Sequence, residues 1–390
     1  MKSVPNTQLG TVVADWPIHM QRAIELSSSV WTATPNPRVG CVIAKHGAII
    51  GEGWHAAPGQ AHAEVVALDQ AGESAKAATA FVSLEPCSHT GRTGPCCESL
   101  IASGIQQVVI AVLDPNPAVA GSGVEQMERA GIEVYHLVDF EQKARSVNVG
   151  YFKRREEGLP FVRLKLAMSL DGRTALADGR SKWITGSAAR GDVQRLRASA
   201  SAVITGINTV LIDDPFLTVR SLDLSISDEE RKLNAKLIER QPLRVIIDSQ
   251  LQTPGTARIL NSGGLIKIYT LNEDIIEKKA LADNVEIIQT GSCNKRVNLQ
   301  FVLESLASDF SCNEVLIEAG PSLSGAFIET GLVDELILYI APKILGSDGK
   351  PLLAITGLQS LDECQGFSIQ KLTKIGEDIK LKSIWDHSSS

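Results

Sequence analysis

The stretch Glu85–Cys97 reads EPCSHTGRTGPCC, and its reading decides the fold of the first half of the chain. An apolar run, TAFVSL, leads into Pro86-Cys87; a polar loop follows, and Cys96 and Cys97 open the helix-like run CESLIASG. Upstream, His62-Ala63-Glu64 begins a second amphipathic run, HAEVVALDQAG, ended by Gly72. Hydrolytic zinc deaminases carry H-x-E followed by P-C-x-x-C. The stretch reads as that signature with its two cysteines driven apart.

The chemistry follows from the residue types. Zinc takes imidazole nitrogen and thiolate sulfur, and a catalytic site keeps three protein ligands and one open position. His62, Cys87 and Cys96 are the candidate ligands for one zinc per chain. Glu64, two residues from His62, is the candidate catalytic acid and base. Cys87 ends a strand and Cys96 starts a helix, where a thiolate is favoured. Leu100 and Ile101 follow either cysteine at helical spacing, so periodicity does not separate Cys96 from Cys97 as third ligand. Such a site would remove an exocyclic amine from an amidine-like ring carbon by hydrolysis.

Working outward, the pattern alternates. WPIHMQRAIELSSSVW is a helix with Asp15 as N-cap, and VGCVIAKHGAIIGEGWH gives two strands around a Lys45–Ala48 turn. Gly104 ends the helix after Cys96, and IQQVVIAVLDPNP is a strand buried on both faces. GVEQMERAGIEVYHL adds helix, Gly131 and strand. The charged run KRREEG (Lys153–Gly158) marks a domain boundary, beyond which alternation resumes. PFVRLKLAMSLDG, SAVITG, PLRVIIDS, GLIKIYT and NEVLIEAG read as strands, Ser187–Ser199 and PSLSGAFIETG as helices, and DELILYIAPKILG as the last buried strand. Two α/β domains, 1–158 and 159–390, with largely parallel sheets are the expected organisation.

Bulk properties narrow the function. The 390 residues carry a net charge of −7, with 5% aromatics. Residues 1–158 hold 12 Lys and Arg against 16 Asp and Glu, a balance of −4. A nucleic-acid binder shows a basic footprint, which is absent here. No apolar run reaches the roughly 18 residues of a membrane span, and the N-terminus lacks the apolar region of a secretory signal. Seven scattered cysteines suit reduced thiols and metal ligands in a cytoplasmic enzyme.

The second half has no G-x-G-x-x-G fingerprint. Its nearest anion-binding feature is Gly320-Pro321-Ser322-Leu323-Ser324-Gly325, between the strand EVLIEA and a helix. Ala326 stands where a P-loop needs lysine, yet a helix N-terminus there still offers backbone N–H groups to an anion.

TPNPRVGCVI, HAEV, EPCSHTGRTGPCC and DPNPAVAGSG, then KLAMSLDGRTA, SKWIT, DDPFLTVR, VIIDS and EAGPSLSGAF, occur in this order over roughly residues 16–385. The chain resembles the bifunctional riboflavin-biosynthesis deaminase–reductase family. The resemblance implies a cytidine deaminase-like α/β/α domain followed by a dihydrofolate reductase-like α/β domain. It implies deamination of 2,5-diamino-6-ribosylamino-4(3H)-pyrimidinone 5′-phosphate, then reduction of the ribosyl group to ribityl with NADPH. It places Asn36 on the pyrimidine, and His55, His89 and Arg92 on the phosphate, so that the loop between Cys87 and Cys96 has a ligand to hold. Gly94 departs from the family, which has proline there.

In the second half, the resemblance places Ala167, Trp183, Thr209, Asp213, Ser249 and the run Gly320, Pro321, Ser322, Leu323, Ser324, Gly325 and Ala326 on the cofactor. It places Ser181, Arg197, Leu217, Arg220 and Glu318 on the substrate, and implies a homo-oligomer (dimer or tetramer) assembled through the reductase half. The expected partners are small phosphorylated pyrimidines, with no nucleic acid and no membrane. The alternatives are a tRNA-type base deaminase with an appended domain, which a basic groove with stacking aromatics would mark, and a zinc-stabilised binding module, which would need four protein ligands.

Overall fold

The turn at His46-Gly47 takes left-handed φ values of 51° and 79°, as a two-residue hairpin requires. The computed structural model describes residues 1–3, 15–88, 94–117, 119–224, 226–273, 282–293 and 295–386. His89 and Arg92 therefore lie outside the described residues. The chain divides into two compact units, Met1–Glu157 with Asp228–Lys236, and Gly158–Ser227 with Leu237–Ser390.

In the first unit, β1 (Lys2–Ser3) and α1 (Trp16–Ser28) precede the hairpin strands β2 (Gly40–Lys45) and β3 (Ala48–Trp54). There follow α2 (Ala63–Ala71), β4 (Thr79–Val82), α3 (Cys96–Ala102), β5 (Gln107–Ile110), α4 (Ser122–Arg129), β6 (Glu133–His136), α5 (Glu141–Val147) and α6 (Val149–Glu157). The sheet order is β1-β6-β5-β4-β2-β3; β1, β6, β5 and β4 are mutually parallel, while β2 runs antiparallel to β4 and β3. Val108, Val109 and Ile110 are fully buried. Val108 and Ile110 face α2, α3 and α4, and Val109 faces α1, α5 and α6. Asp15 stands at the start of α1 but caps with its backbone, its carbonyl accepting from Ile18 and His19 N–H groups; its side chain makes no capping bond. The charged run KRREEG is the last turn of α6 plus Gly158. The short segment Asp228–Lys236 packs with this unit, where Asn234 Oδ1 accepts from Trp31 N–H at 2.9 Å.

In the second unit, β7 (Phe161–Ser169), β8 (Arg173–Ala175), α7 (Ser187–Ser199), β9 (Ala202–Gly206) and α8 (Ile207–Asp213) come first. The segment carrying α9 (Asp228–Leu233) and α10 (Ala235–Glu239) leads to β10 (Leu243–Ile247), β11 (Ile266–Thr270), β12 (Val285–Gln289) and the small hairpin β13 (Ser292–Cys293) and β14 (Arg296–Val297). α11 (Leu299–Ser308), β15 (Glu314–Ile317), α12 (Pro321–Glu329), β16 (Glu335–Ala341), β17 (Lys350–Pro351), β18 (Phe367–Ile375) and β19 (Asp378–Trp385) complete it. The nine-stranded sheet runs β12-β11-β10-β9-β15-β7-β16-β19-β18. It is parallel as far as β16 and antiparallel thereafter. Leu164, Ile204, Val245 and Ile317 meet α11 and α12 on one face; Val203, Ile246 and Leu316 meet α8 and the Leu251–Leu260 loop on the other.

β16 is not the closing strand expected from the sequence. The β18–β19 hairpin extends the sheet beyond it, and a register shift at Ile369/Lys371 breaks the alternation by which β18 would have been read.

The approach of α2 to β3 leaves no room for a side chain. A Cβ on Gly53 would lie 2.2 Å from the Ala63 carbonyl oxygen and 2.7 Å from Ala67 N, both on α2, which carries Glu64. Gly53→Ala should therefore destabilise the first unit by about 1–3 kcal/mol, the range for forcing volume into a packed core. Gly94→Ala is the control, because nothing lies within 4 Å of a Cβ there. Calorimetry that found equal transitions for the two variants would contradict this packing.

Candidate active sites

His62 precedes the first residue of α2 in extended backbone (φ −74°, ψ 162°), which turns its side chain off the helix end. Its Nδ1 lies 3.1 Å from Cys96 Sγ and 3.5 Å from Cys87 Sγ, and the three donor atoms all fall within 4.8 Å of one another. Around a tetrahedral zinc, with Zn–N about 2.0–2.1 Å and Zn–S about 2.3 Å, nitrogen and sulfur ligands stand roughly 3.5 Å apart. The donor set fits that ion in both spacing and softness. Hydrogen bonding from Cys96 and from His62 holds the Cys87 thiol well below its ordinary range despite its burial. The Cys96 backbone N–H also points at Cys87 Sγ, at 3.4 Å.

Cys97 faces elsewhere. Its thiol donates to the Pro86 carbonyl at 3.2 Å, and its side chain is packed with Leu100, Val108 and Val124 in the core. Burial pushes it up to about 12, the state of an inert structural thiol. Glu64 is 3% exposed on the first turn of α2; burial, then the neighbouring Cys87, raise its carboxyl to about 7. That is the range in which a carboxyl both takes and returns a proton at neutral pH.

The cluster opens into a cavity of about 350 Å³ at the carboxyl ends of β4 and β5, lined by Asn36, His55, His62, Glu64, Cys87, Asp114, Tyr151 and Arg155, among others. His55 Nδ1–H donates to the Ala61 carbonyl at 3.1 Å, which leaves Nε2 to accept from the Asn36 amide at 3.0 Å. Two residues assigned to substrate are thus oriented by one another. Glu85 was read only as part of the signature. Its carboxylate accepts backbone N–H groups from Asp114, Gly121, Gly123 and Val124, fixing the DPNPAVAGSG loop as a wall of the cavity. Tyr151 donates to Asp114 at 2.9 Å. Tyr151 and Arg155 were missed because α6 reaches the cavity only through the fold.

The second unit has a cavity of about 760 Å³ over the carboxyl ends of β7, β9, β10 and β15. It brings together Ala167, Thr209, Asp213, Ser249, Gly320, Pro321, Ser322, Leu323 and Ala326 of the expected cofactor residues, and Ser181, Arg197, Leu217 and Glu318 of the expected substrate residues. It does not bring in four others. Trp183 is 63% exposed and lies under the Arg190 guanidinium. Arg220 binds Asp223 at 2.5 Å. Ser324 is wholly buried against the Ala319 carbonyl, and Gly325 packs on the backbone of Ala354.

Arg197 holds Glu318 through two hydrogen bonds of 2.5 and 2.9 Å. Burial opposes the charge on Glu318, but this guanidinium outweighs it and keeps the carboxyl below its ordinary range. Lys165 lines the same floor, with its ammonium pushed down by burial. The cradle for an anion is the start of α12, where Gly320 is extended (φ −75°, ψ 176°) and Pro321 occupies the first turn. A cavity of this size over a helix N-terminus fits the diphosphate of a dinucleotide.

Both cavities sit where doubly wound sheets bind ligands, and their side chains do different work. One is suited to hydrolysis at a metal and the other to holding a long anionic cofactor above an ion-paired floor, which defines a zinc deaminase joined to a dinucleotide-dependent reductase. Residues 17–112 match the cytidine and deoxycytidylate deaminase zinc-binding region, and residues 160–381 match the RibD C-terminal domain. The chain is 44% identical to the riboflavin biosynthesis protein RibD of Escherichia coli over 93% of its own length and 97% of that protein. It is 41% identical to RibD of Buchnera aphidicola over 95% and 99% of the two chains. RibD of Acinetobacter baumannii superposes with a TM-score of 0.86 at 42% identity, covering 96% of this chain and all of that one. A Thermotoga maritima deaminase/reductase gives a TM-score of 0.80 at 31% identity over 96% and 99%. The chain belongs to the RibD family of riboflavin biosynthesis proteins.

Metal analysis after dialysis separates the two adjacent thiols. Cys96→Ser should drop bound zinc well below one per chain, because a ligand is lost. Cys97→Ser should keep zinc near one per chain while destabilising the first unit by about 1–3 kcal/mol, through a buried hydroxyl. Zinc loss in Cys97→Ser with retention in Cys96→Ser would reverse the assignment.

Proposed function

We propose that the chain catalyses consecutive steps of riboflavin biosynthesis, with residues 1–158 as the deaminase domain and 159–390 as the reductase domain. The first step is hydrolytic deamination of 2,5-diamino-6-ribosylamino-4(3H)-pyrimidinone 5′-phosphate, and the second is reduction of its ribosyl group to ribityl. The observation that carries this reading is the buried Glu64 beside the His62–Cys87–Cys96 set, in a chain whose second half holds a separate dinucleotide-sized cavity.

In the deaminase cavity, His62, Cys87 and Cys96 hold zinc, which supplies Lewis-acid activation of water. Glu64 carries one proton of the attacking water to the ring nitrogen, then carries the second, given up by the added hydroxyl as the carbonyl forms, to the departing amine. Its burial keeps the acid and base forms close in energy, so one carboxyl serves both transfers. Asn36, fixed by His55, orients the pyrimidine. His89 and Arg92 suit the phosphate by charge.

In the reductase cavity, the Gly320–Ala326 run, Ala167, Thr209, Asp213 and Ser249 hold NADPH, which supplies the reducing equivalents. Ser181, Leu217 and the Arg197–Glu318 pair receive the ribose end of the substrate. Arg220 belongs to this reading through its charge, which helps hold the Glu318 carboxyl down. No helix among the described residues is long and apolar enough to cross a membrane, and the substrates are small molecules of the cytoplasm. Assembly of copies through the reductase domain completes the reading, with the exposed outer strand β18 offering a sheet edge for it. The nucleic-acid deaminase alternative is not favoured, since the chain matches RibD proteins across both halves.

Glu64→Gln keeps the shape of the side chain and removes its proton chemistry. Ammonia release should fall by at least about 10²-fold, with zinc retained and NADPH oxidation on the deaminated substrate unchanged. Deamination surviving in this variant would sink the proposed role of Glu64.

A further inference from the structure

The cations facing the second cavity are unevenly committed. Lys165 and Arg197 are electrostatically coupled to Glu318, Arg197 through two hydrogen bonds. Lys350 lies on the β8–β17 side, its Nζ 3.3 Å from where a Cβ on Gly179 would stand. Arg296 is exposed on β14 and, with Val297 and Ser249, is among the residues that line the cavity; like Lys350 it makes no side-chain hydrogen bond or ion pair with the described residues, but of the two only Arg296 carries a planar guanidinium.

Strand order says which end of a bound dinucleotide Arg296 would meet. The phosphate cradle follows β15, whose neighbours are β7 on one side and β9, then β10, on the other. Lys165 on β7 faces the Arg197–Glu318 pair at the end of β15, which marks this side of the cradle as the one where substrate and the reducing ring meet. A dinucleotide with its diphosphate on the start of α12 therefore extends its adenosine toward β10, where Ser249 stands. β14 leads into α11, and Val297 and Leu299 share the α11–α12 core face with Phe327 and Ile328. Val297 shares that core face with Val245 and Ile247 of β10 as well, which sets Arg296 on the cavity margin at the β10 side.

We propose that Arg296 binds the 2′-phosphate of NADPH and sets the preference for the phosphorylated cofactor over NADH. The inference rests on the reading of this cavity as the NADPH site. A planar guanidinium can meet two phosphate oxygens at once, and on the cavity margin it would add binding only when the 2′-phosphate is present.

The test uses the zinc-loaded full chain and calorimetric titration with 2′,5′-ADP and 5′-ADP at one fixed ionic strength. The native chain should prefer 2′,5′-ADP. Arg296→Gln should weaken 2′,5′-ADP by about 10- to 100-fold, the range for one charge-assisted contact, while 5′-ADP stays within about twofold. Arg296→Lys should recover part of the loss, and Lys350→Gln should leave the preference unchanged. In steady-state assays, Arg296→Gln should raise KM for NADPH but not for NADH, with kcat retained. Equal weakening of both nucleotides, no weakening, or transfer of the effect to Lys350→Gln would overturn the proposal. Failure of the native chain to bind either nucleotide would instead overturn the reading of the cavity itself.

Discussion

Three donor atoms from three separate elements must converge on a space a few ångströms across, and the first unit is arranged around that requirement. His62 comes from the start of α2, Cys87 from the loop after β4, and Cys96 from the start of α3. None of these elements can shift alone. α2 is seated on β3 at Gly51 and Gly53 with no room for a side chain. α3 is tied back to Cys87 by the Cys97 N–H, which donates to the Cys87 carbonyl at 3.2 Å. Glu85 anchors the neighbouring wall with four backbone donors. Burying a carboxyl such as Glu64 in this setting is unfavourable for its charged form, and the same burial brings its proton affinity into the working range.

The second unit solves a different problem by similar means. Its sheet also presents loops at the carboxyl ends of parallel strands, but its buried charges are neutralised in pairs. Glu318 and Arg197 meet in two hydrogen bonds. At the opposite ends of the strands, Arg163 sits between Glu314 and Glu335. A paired carboxylate stays ionised and fixed in position, which suits binding a hydroxylated chain better than transferring protons to it. One chain thus carries a carboxyl poised to titrate and another held from titrating, each in its own cavity.

Much of this was legible in the sequence because local signals and tertiary demands agree. The His46-Gly47 turn, the glycines ending helices at Gly72, Gly104 and Gly131, and the buried Val108–Ile110 run of β5 all fall where residue chemistry puts them. The zinc candidates were legible because spacing, residue type and position at element ends coincided. What was not legible depended on direction rather than spacing. Cys96 and Cys97 are neighbours about 100° apart around a helix, and only the packing of α3 against Val108 and Val124 turns one inward to the core and the other to His62. Arg155 sits in the run that reads as a charged boundary and Tyr151 just before it, yet α6 carries both to the cavity. The β18–β19 hairpin was hidden by its own register shift. Trp183 and Arg220, carried over by resemblance, lie outside the cavity lining, where the resemblance had not anticipated them.

The central claim is that two independent chemistries occupy two separate sites in one chain. Removing zinc with a chelator, then assaying ammonia release and NADPH oxidation on the deaminated substrate in the same preparation, tests it most directly. The account predicts that ammonia release is lost and returns when zinc is restored, while NADPH oxidation continues unchanged throughout. Loss of both activities on zinc removal, or persistence of both, would contradict it.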